Sequence, residues 1–512
     1  MSEVRLLTAG EMRAWERSAI DAGTATGIDL MERAGKGAVA EVLAYWPDLA
    51  RAPARAHILC GPGNNGGDGF VVARLLLEMG WAVEAYLLGE SELLPPDARA
   101  NHDRWAAKGS VLSIGDAAPR LREESGSRVL VVDAIFGTGL TRDVPQSVSA
   151  ALTAAADAGL PRVALDVPSM LQSDSGRSLP PWRGDAAPAQ LTVAFGAPKR
   201  GHYLGDGPRL CGRLVVVGLD LPGPLPPDAV PLAGPPAGLG KGHGHKYDHG
   251  HALVVAGGFG RTGAARLAAR GALRIGAGLA TVAAPGAAML ECATQLTAVM
   301  LRRCDDGDDL EKLLSDRRLN TVCLGPGLGT DERARGLIAA ALVSGRPAVL
   351  DADALTLLAE DPALWKGLHG SVLLTPHMGE FARLCPDQSE KLGSGGNPAY
   401  GRVEAAREAS AALGCTILLK GPDTILGEPS GRVIVHSASY DREAPWLATA
   451  GAGDVLAGMA AGLMARGLPA FDAGRAAAWL HVEAARRFGP GLVAEDLPEI
   501  LPGVLKALSP AR

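Results

Sequence analysis

The sequence predicts an α/β protein in two domains, each built on a mostly parallel sheet with helices on both faces. Three observations predict it. Short apolar runs recur through both halves with helical patterns between most of them, the alternation of a parallel sheet. A Pro/Gly-rich stretch without periodicity, residues 221–239, divides the chain. The 67 glycines nearly double the usual share of about 7% and are dispersed at turns, as many tight strand–helix junctions require. At 512 residues the chain exceeds one ordinary core. The expected boundaries are a first domain over 1–225, a linker over 226–240 and a second domain over 241–512.

Composition narrows the function. Hydrophobic residues make up 47% and charged residues 21%, a soluble globular profile. Aromatics are only 4%, too few for a platform that stacks single-stranded nucleic acid, and the net charge of −6 offers no general basis for binding nucleic acid or acidic lipid. The seven cysteines are scattered without a C-x-x-C pair, which suits buried thiols in a reducing compartment. No run of about 18 uninterrupted apolar residues occurs, so a cytoplasmic protein without membrane contact is expected.

In chain order, residues 1–50 read as helices from the spacing of Leu7, Met12, Trp15 and Ile20 and then of Ala38, Val39, Val42 and Leu43. A strand at 57–60 runs into the turn Gly61-Pro62-Gly63-Asn64-Asn65-Gly66-Gly67-Asp68-Gly69, and an apolar helix follows from Phe70. Gly61, Gly63 and Gly66 spell a dinucleotide fingerprint in a strand–turn–helix setting, but two Asn and an Asp make the turn more polar than pyrophosphate cradling requires. Amide oxygens and a carboxylate there can ligate a cation or grip hydroxyls. Strands follow at 83–88, 129–136, 163–167, 191–195 and 214–217. Polar residues stand at their ends: Asp133 before Phe136–Asp143, Asp166 before Val167-Pro168-Ser169, and Lys199 after Phe195-Gly196-Ala197-Pro198. Ligands of such sheets bind beyond the carboxyl ends of the strands. Polar groups at three strand ends, two aspartates and a lysine, therefore point to an acid–base site.

Beyond the linker, His243, His245, His249 and His251 invite a metal reading, but no Cys or carboxylate cluster supports it locally. Gly258, Gly260 and Gly263 repeat the G-x-G-x-x-G pattern, which shows how cheap it is in a glycine-rich chain. Strands are expected at 252–256, 280–283, 321–324, 348–350, 372–374, 416–419 and 433–435. Their end loops carry Gly325–Gly329, Asp351–Ala354, Thr375–Glu380 and Lys420–Thr424. Lys420 can hold a phosphate as a point charge. The turn Gly451-Ala452-Gly453-Asp454 then feeds an apolar helix. A glycine turn entering a helix aims unpaired N–H groups and the positive end of the helix dipole at one point, an anion site. Asp454 at its edge could take a proton from a hydroxyl as that hydroxyl attacks a phosphoryl group.

Taken together these motifs resemble the bifunctional NAD(P)H-hydrate repair enzymes, an NAD(P)HX epimerase fused to an ADP/ATP-dependent NAD(P)HX dehydratase. The first half carries Gly61–Gly69, Val132–Leu140, Leu165–Ser169 and Thr192-x-x-Phe195-x-x-x-Lys199. The second carries Gly276–Leu279, Gly325–Gly329, Asp351–Leu355, Thr375–Glu380, Leu418–Thr424 and Leu447–Gly458. The resemblance implies a Rossmann-like first domain and a ribokinase-like second one. It implies that Asn64, Asn65, Gly66, Gly67 and Asp68, with Gly137, Thr138, Gly139, Leu140, Thr141, Arg142, Asp143 and Asp166, contact the hydrated nucleotide. Asn65, Asp133 and Ser169 would hold potassium, and Asp166 with Lys199 would move protons as the R and S hydrates interconvert at C6. In the second domain Ala264, Gly327, His377 and Asp454 would meet the S-hydrate, with Asp454 as catalytic base. Lys420, Gly421, Pro422, Asp423, Thr424 and Gly453 would hold ADP or ATP, with magnesium. A homo-oligomer is expected on the same ground. Two departures touch the first domain: Arg33 replaces Asn in a Met-Glu-Asn-Ala-Gly run, and Met170 replaces Gly after Pro-Ser. Two other functions share the motifs: a small-molecule kinase of ribokinase type that releases a phosphorylated product, and a first domain that only binds or scaffolds.

Overall fold

The computed structural model describes residues 4–125, 128–181, 187–393 and 396–508. The chain forms two compact units, Met1–Val230 with Asn397–Gly401, and Pro231–Gly396 with Arg402–Arg512.

The first unit holds a seven-stranded sheet of β1 (Arg55–Cys60), β2 (Ala82–Leu87), β3 (Val111–Ser113), β4 (Val129–Ala134), β5 (Arg162–Leu165), β6 (Leu191–Phe195) and β7 (Arg213–Val217). Its order is β3-β2-β1-β4-β5-β6-β7 and every pairing is parallel. β1, β4 and β6 are buried almost throughout, as strands covered on both faces must be. The strand order reverses between β1 and β4, and a crevice opens there at the carboxyl ends. Its walls touch closely. A Cβ on Gly61 would lie 1.7 Å from the Ile135 carbonyl oxygen, so only glycine lets the two loops meet.

The second unit holds nine strands: β8 (His251–Val255), β9 (Leu279–Ala284), β10 (Met300–Arg303), β11 (Thr321–Leu324), β12 (Ala348–Leu350), β13 (Val372–Leu374), β14 (Thr416–Leu419), β15 (Asp423–Gly427) and β16 (Val433–Ser437). The order is β10-β9-β8-β11-β12-β13-β14-β15-β16. It is parallel up to β14, and β15 and β16 add an antiparallel edge. This sheet reverses between β8 and β11, where a Cβ on Gly257 would stand 1.8 Å from the Gly327 carbonyl oxygen. The helix Ala452–Ala465 buries 12 of its 14 residues, so it is apolar all round rather than amphipathic. It packs on helix Gly263–Arg274 through small residues: a Cβ on Gly458 would meet the Ala268 backbone at 2.0 Å. That approach fixes the Ala452 helix against the helix whose first turn carries Ala264.

The structure corrects three expectations about local form. The polar turn 61–69 is a turn only to Gly63, because helix Asn64–Glu78 starts at Asn64. Lys420–Thr424 is not a loop throughout, since β15 begins at Asp423. β3 and β10 are edge strands that the sequence reading passed over.

Candidate functional sites

At the crevice of the first unit, Asp166 ends β5 with φ at +60°, a left-handed backbone that costs a non-glycine residue on the order of 1–3 kcal/mol. The surroundings hold it there. Lys199 Nζ donates to Asp166 Oδ1, and the Phe195 N–H reaches the same oxygen at 3.3 Å. Lys199 Nζ also donates to the Phe195 carbonyl at 2.7 Å, and the ammonium is buried. His202 Nδ1 accepts the Lys199 N–H at 3.0 Å, so its Nε2–H donates to the Asp166 carbonyl at 2.9 Å. Burial and the Lys199 charge push the His202 imidazole down to about 4, leaving it neutral. Asp166 Oδ2 faces the other way, 3.2 Å from where a Cβ on Gly137 would stand, and Asn65 lies against the same point at 3.4 Å. The structure thus brings Asp166, Lys199, Asn65 and Gly137 together.

Asp133 and Ser169 form a second polar group at the same strand ends. Ser169 Oγ and N–H both donate to the Asp133 carboxylate, and Ser169 Oγ accepts the Phe136 N–H at 2.8 Å. Asn65 Nδ2 donates to the Leu165 carbonyl at 3.2 Å, while its Oδ1 is buried with no partner. An orphaned buried acceptor costs about 1–3 kcal/mol. Burial raises the Asp133 carboxyl above its ordinary value, against the pull of Ser169 and Arg162. Thr138–Asp143 follow in the half-exposed loop after β4, where Leu140 turns into the core instead. The two departures are absorbed: Met170 is buried in the apolar cluster with Val167 and Leu171, and Arg33 donates to the Leu219 carbonyl at 2.8 Å.

One acidic residue of this site was missed in the sequence. Glu16, on helix Ala9–Asp21, interacts electrostatically with Asp166, Asp68 and Lys199. Burial, then Asp166, raise its carboxyl to about 7. Asp68, one turn into helix Asn64–Glu78, is buried, and burial, then Asp166 and Glu16, raise its carboxyl well above its ordinary value. No motif marks Glu16; only its place one turn after Met12 could have suggested it.

In the second unit, Gly451 takes a left-handed φ of +87° and the helix begins at Ala452. The Ala452 N–H already reaches the Thr449 carbonyl at 3.4 Å. The Ala452 amide is thereby occupied, and the Gly453 and Asp454 amides of the first turn stay without an intrahelical partner. Lys420 Nζ bonds Asp351 Oδ1 at 2.7 Å, lies 3.8 Å from Glu380 Oε2, and stands 3.6 Å from where a Cβ on Gly453 would be. Asp351 is buried, and Ala352 after it has φ at +48°. Burial, then the Asp351 charge, raise the Asp454 carboxyl to about 6, against the pull of Lys420. This aspartate can accept a proton near neutral pH.

A cavity of about 550 Å³ opens beside Gly453, lined by Lys420, Gly421, Pro422 and Thr424 and backed by His436 and His481. Asp423 is turned away and pairs with Arg402 at 2.8 Å. Ala264 and Gly327 meet across the switch point, 3.6 Å from Ala264 Cβ to a Cβ built on Gly327. His377 caps helix Met378–Leu384, its Nδ1 accepting the Gly379 N–H at 2.9 Å. Its ring stays half-exposed. The loop of the second G-x-G-x-x-G match is occupied by its own chain: Glu291 accepts from the Gly260 N–H at 2.7 Å and the Thr262 hydroxyl at 2.5 Å. The four histidines do not converge. His251 is buried against Thr281 at 2.7 Å while His245 stacks on Tyr247, and no group of three metal-ligating side chains occurs among the described residues. Among them, too, no helix is long and apolar enough to cross a membrane.

Comparison with known proteins bears on both halves of the chain. Residues 252–501 match the family described as NAD(P)H-hydrate dehydratase, and residues 27–201 match the family described as YjeF-related protein N-terminus. The chain is 35% identical to a bifunctional NAD(P)H-hydrate repair enzyme of Moorella thermoacetica, covering 98% of this chain and 97% of that one. It is 35% identical to a protein of the same name from Coxiella burnetii, over 95% and 96% of the two chains. An NAD(P)H-hydrate epimerase of Rhodobacter capsulatus is 48% identical over 38% of this chain and 91% of its own. With a family model matched in each half and relatives matched over nearly the whole length, the protein belongs to the family of bifunctional NAD(P)H-hydrate repair enzymes.

Proposed function

We propose that the first unit interconverts the R and S hydrates of NADH and NADPH at C6, and that the second dehydrates the S form using ADP. Support for the pairing comes from two aspartates, Asp166 directly after β5, and Asp454 beside Asp351 and Lys420, which follow β12 and β14.

In the first unit, Asp166 Oδ2 is the oxygen left free to exchange a proton, because Oδ1 is held by Lys199 and the Phe195 amide. Asn64–Asp68 and, apart from the core residue Leu140, Gly137–Asp143 would line the hydrated nucleotide. Asn65, Asp133 and Ser169 suit a potassium ion: they offer hard oxygens, and the unpartnered Asn65 Oδ1 is the acceptor such an ion would complete. When bound, that ion would supply positive charge for the polar groups of the hydrate.

In the second unit, Asp454 takes the proton of the C6 hydroxyl as its oxygen attacks the β-phosphoryl group of ADP. AMP leaves, and the C6–OH becomes a phosphate ester. Lys420 and the Gly453 and Asp454 amides stabilise the charge on the phosphoryl oxygens. The ring nitrogen electrons then expel phosphate, and loss of a C5 proton restores NADH or NADPH. Ala264, Gly327 and His377 would hold the S-hydrate. Lys420, Gly421, Pro422, Thr424 and Gly453, which line the cavity, would hold the nucleotide, whose phosphates carry the magnesium.

The test is incubation of the full chain with mixed R and S NADHX, potassium, magnesium, and either ADP or ATP. Complete recovery of NADH with release of inorganic phosphate, faster with ADP, is the expected result. A phosphorylated product that outlives turnover would instead favour a ribokinase-type kinase.

A further inference from the structure

The first site carries more acid than a single Asp–Lys pair needs. Three carboxyl groups, Glu16, Asp68 and Asp166, share one ammonium, Lys199, in a partly buried crevice. They arrive from separate elements: Glu16 from helix Ala9–Asp21, Asp68 from helix Asn64–Glu78, and Asp166 from the end of β5.

The placement of Glu16 follows from the helix face. A Cβ on Gly196 would stand 2.4 Å from Met12 Cε, so Met12 lies on the residue directly after Phe195. Phe195 is the residue whose N–H and carbonyl hold Asp166 and Lys199. Met12 and Ala19 are both buried, and Glu16 lies four residues after the first and three before the second, on the same face. Helix Ala9–Asp21 is anchored by a capping box, Thr8 with Glu11, which keeps that face in register. Asp166 presents Oδ2 toward Gly137 and Asn65, away from its Lys199-bonded oxygen.

We infer that Glu16 is a second proton-handling residue of the epimerase site, acting as the acid while Asp166 acts as the base. This rests on the epimerase reading above. Glu16 gives its proton to the C6 hydroxyl; the C6–O bond breaks, the ring nitrogen lone pair forms an N1=C6 iminium, and water leaves. A water then adds to the opposite face of C6, and Asp166 takes its proton. Proton return from Asp166 to Glu16 closes the cycle, so atoms and charge balance.

The charges around Glu16 fit the role. Burial and then Asp166 raise its proton affinity, Lys199 and Arg13 lower it, and the balance stands at about 7. It can therefore lose and regain a proton near neutral pH. Asp68 is buried deeper, and burial, then Asp166 and Glu16, raise its carboxyl well above its ordinary value.

The experiment is the pH dependence of kcat/KM for R-to-S interconversion by the full chain. The parent rate should fall as pH rises through about 7, because the acid is lost. Glu16→Gln should lower the rate at pH 6 on the order of 100-fold and abolish that alkaline fall. Glu16→Asp, which keeps a carboxyl, should retain the fall and a substantial part of the rate. The inference is overturned if Glu16→Gln keeps the parent profile, or if Glu16→Asp is as inactive as Glu16→Gln, which would mark a packing role. A parent chain that fails to interconvert the hydrates would refute the epimerase reading itself and this inference with it, before any variant is compared.

Discussion

The two sites use the same pair of side chains in opposite ways. In the first unit the lysine is bonded to the working aspartate itself: Lys199 grips Asp166, whose strained backbone is held by Phe195 and His202. In the second the lysine is bonded to a neighbour. Lys420 pairs with Asp351, and Asp454 stands beside the pair with its carboxyl raised to about 6. Each site also has a left-handed non-glycine residue at a strand end, Asp166 in one and Ala352 in the other. In the first that residue is the reactive group, while in the second it orients the support, since the Ala352 N–H donates to Asp351 at 2.9 Å. The difference teaches that an Asp–Lys pair can either fix a carboxylate in place or free another one to act as a base.

The largest effect should come from the unpaired base. Asp454→Asn should lower dehydration by about 1,000-fold or more and leave epimerisation unchanged; an equal loss of both activities would break the separation of the sites. Next, Lys199→Met leaves the Asp166 carboxylate half-buried and unpaired. Epimerisation should fall by about 100-fold, and unfolding by denaturant should show a loss on the order of 3 kcal/mol. The corresponding Lys420→Met should instead change the pH profile. Asp454 must be ionised to work, so dehydration falls as pH drops through about 6. Because Lys420 lowers the proton affinity of Asp454, its removal should shift that acid limb to higher pH; a downward shift would contradict the assigned geometry. The smallest effect is expected from Gly137→Ala. Its Cβ would press on Asp166 Oδ2 at 3.2 Å and Asn65 at 3.4 Å, and epimerisation should fall about fivefold, roughly 1 kcal/mol.

Much of this was legible in the residues. Thr321–Leu324, Ala348–Leu350, Val372–Leu374 and Leu191–Phe195 are strands with the expected bounds, because each is a short, fully buried apolar run closed by a polar or glycine turn. The features that escaped have physical causes. Helix Asn64–Glu78 starts in four poor helix formers. One of them, Gly66, is required because a Cβ would come within 2.0 Å of the Gly61 carbonyl oxygen. β10 lies at a sheet edge and ends in exposed Arg302 and Arg303, so it lacks the apolar signal. β15 starts inside a Gly-Pro-Asp turn pattern. Asp423, expected at the nucleotide, serves Arg402 instead, and Glu16 reaches the first site only because the helix Ala9–Asp21 folds onto Gly196.

The most direct test of the division of labour follows the two hydrates separately during repair with ADP. Full chain carrying Asp454→Asn should equilibrate R and S while returning no NADH, and chain carrying Asp166→Asn should consume the S form at the parent rate and then stall on R. NADH returning at the parent rate from the Asp454→Asn chain, or S consumption halted by Asp166→Asn, would contradict the account.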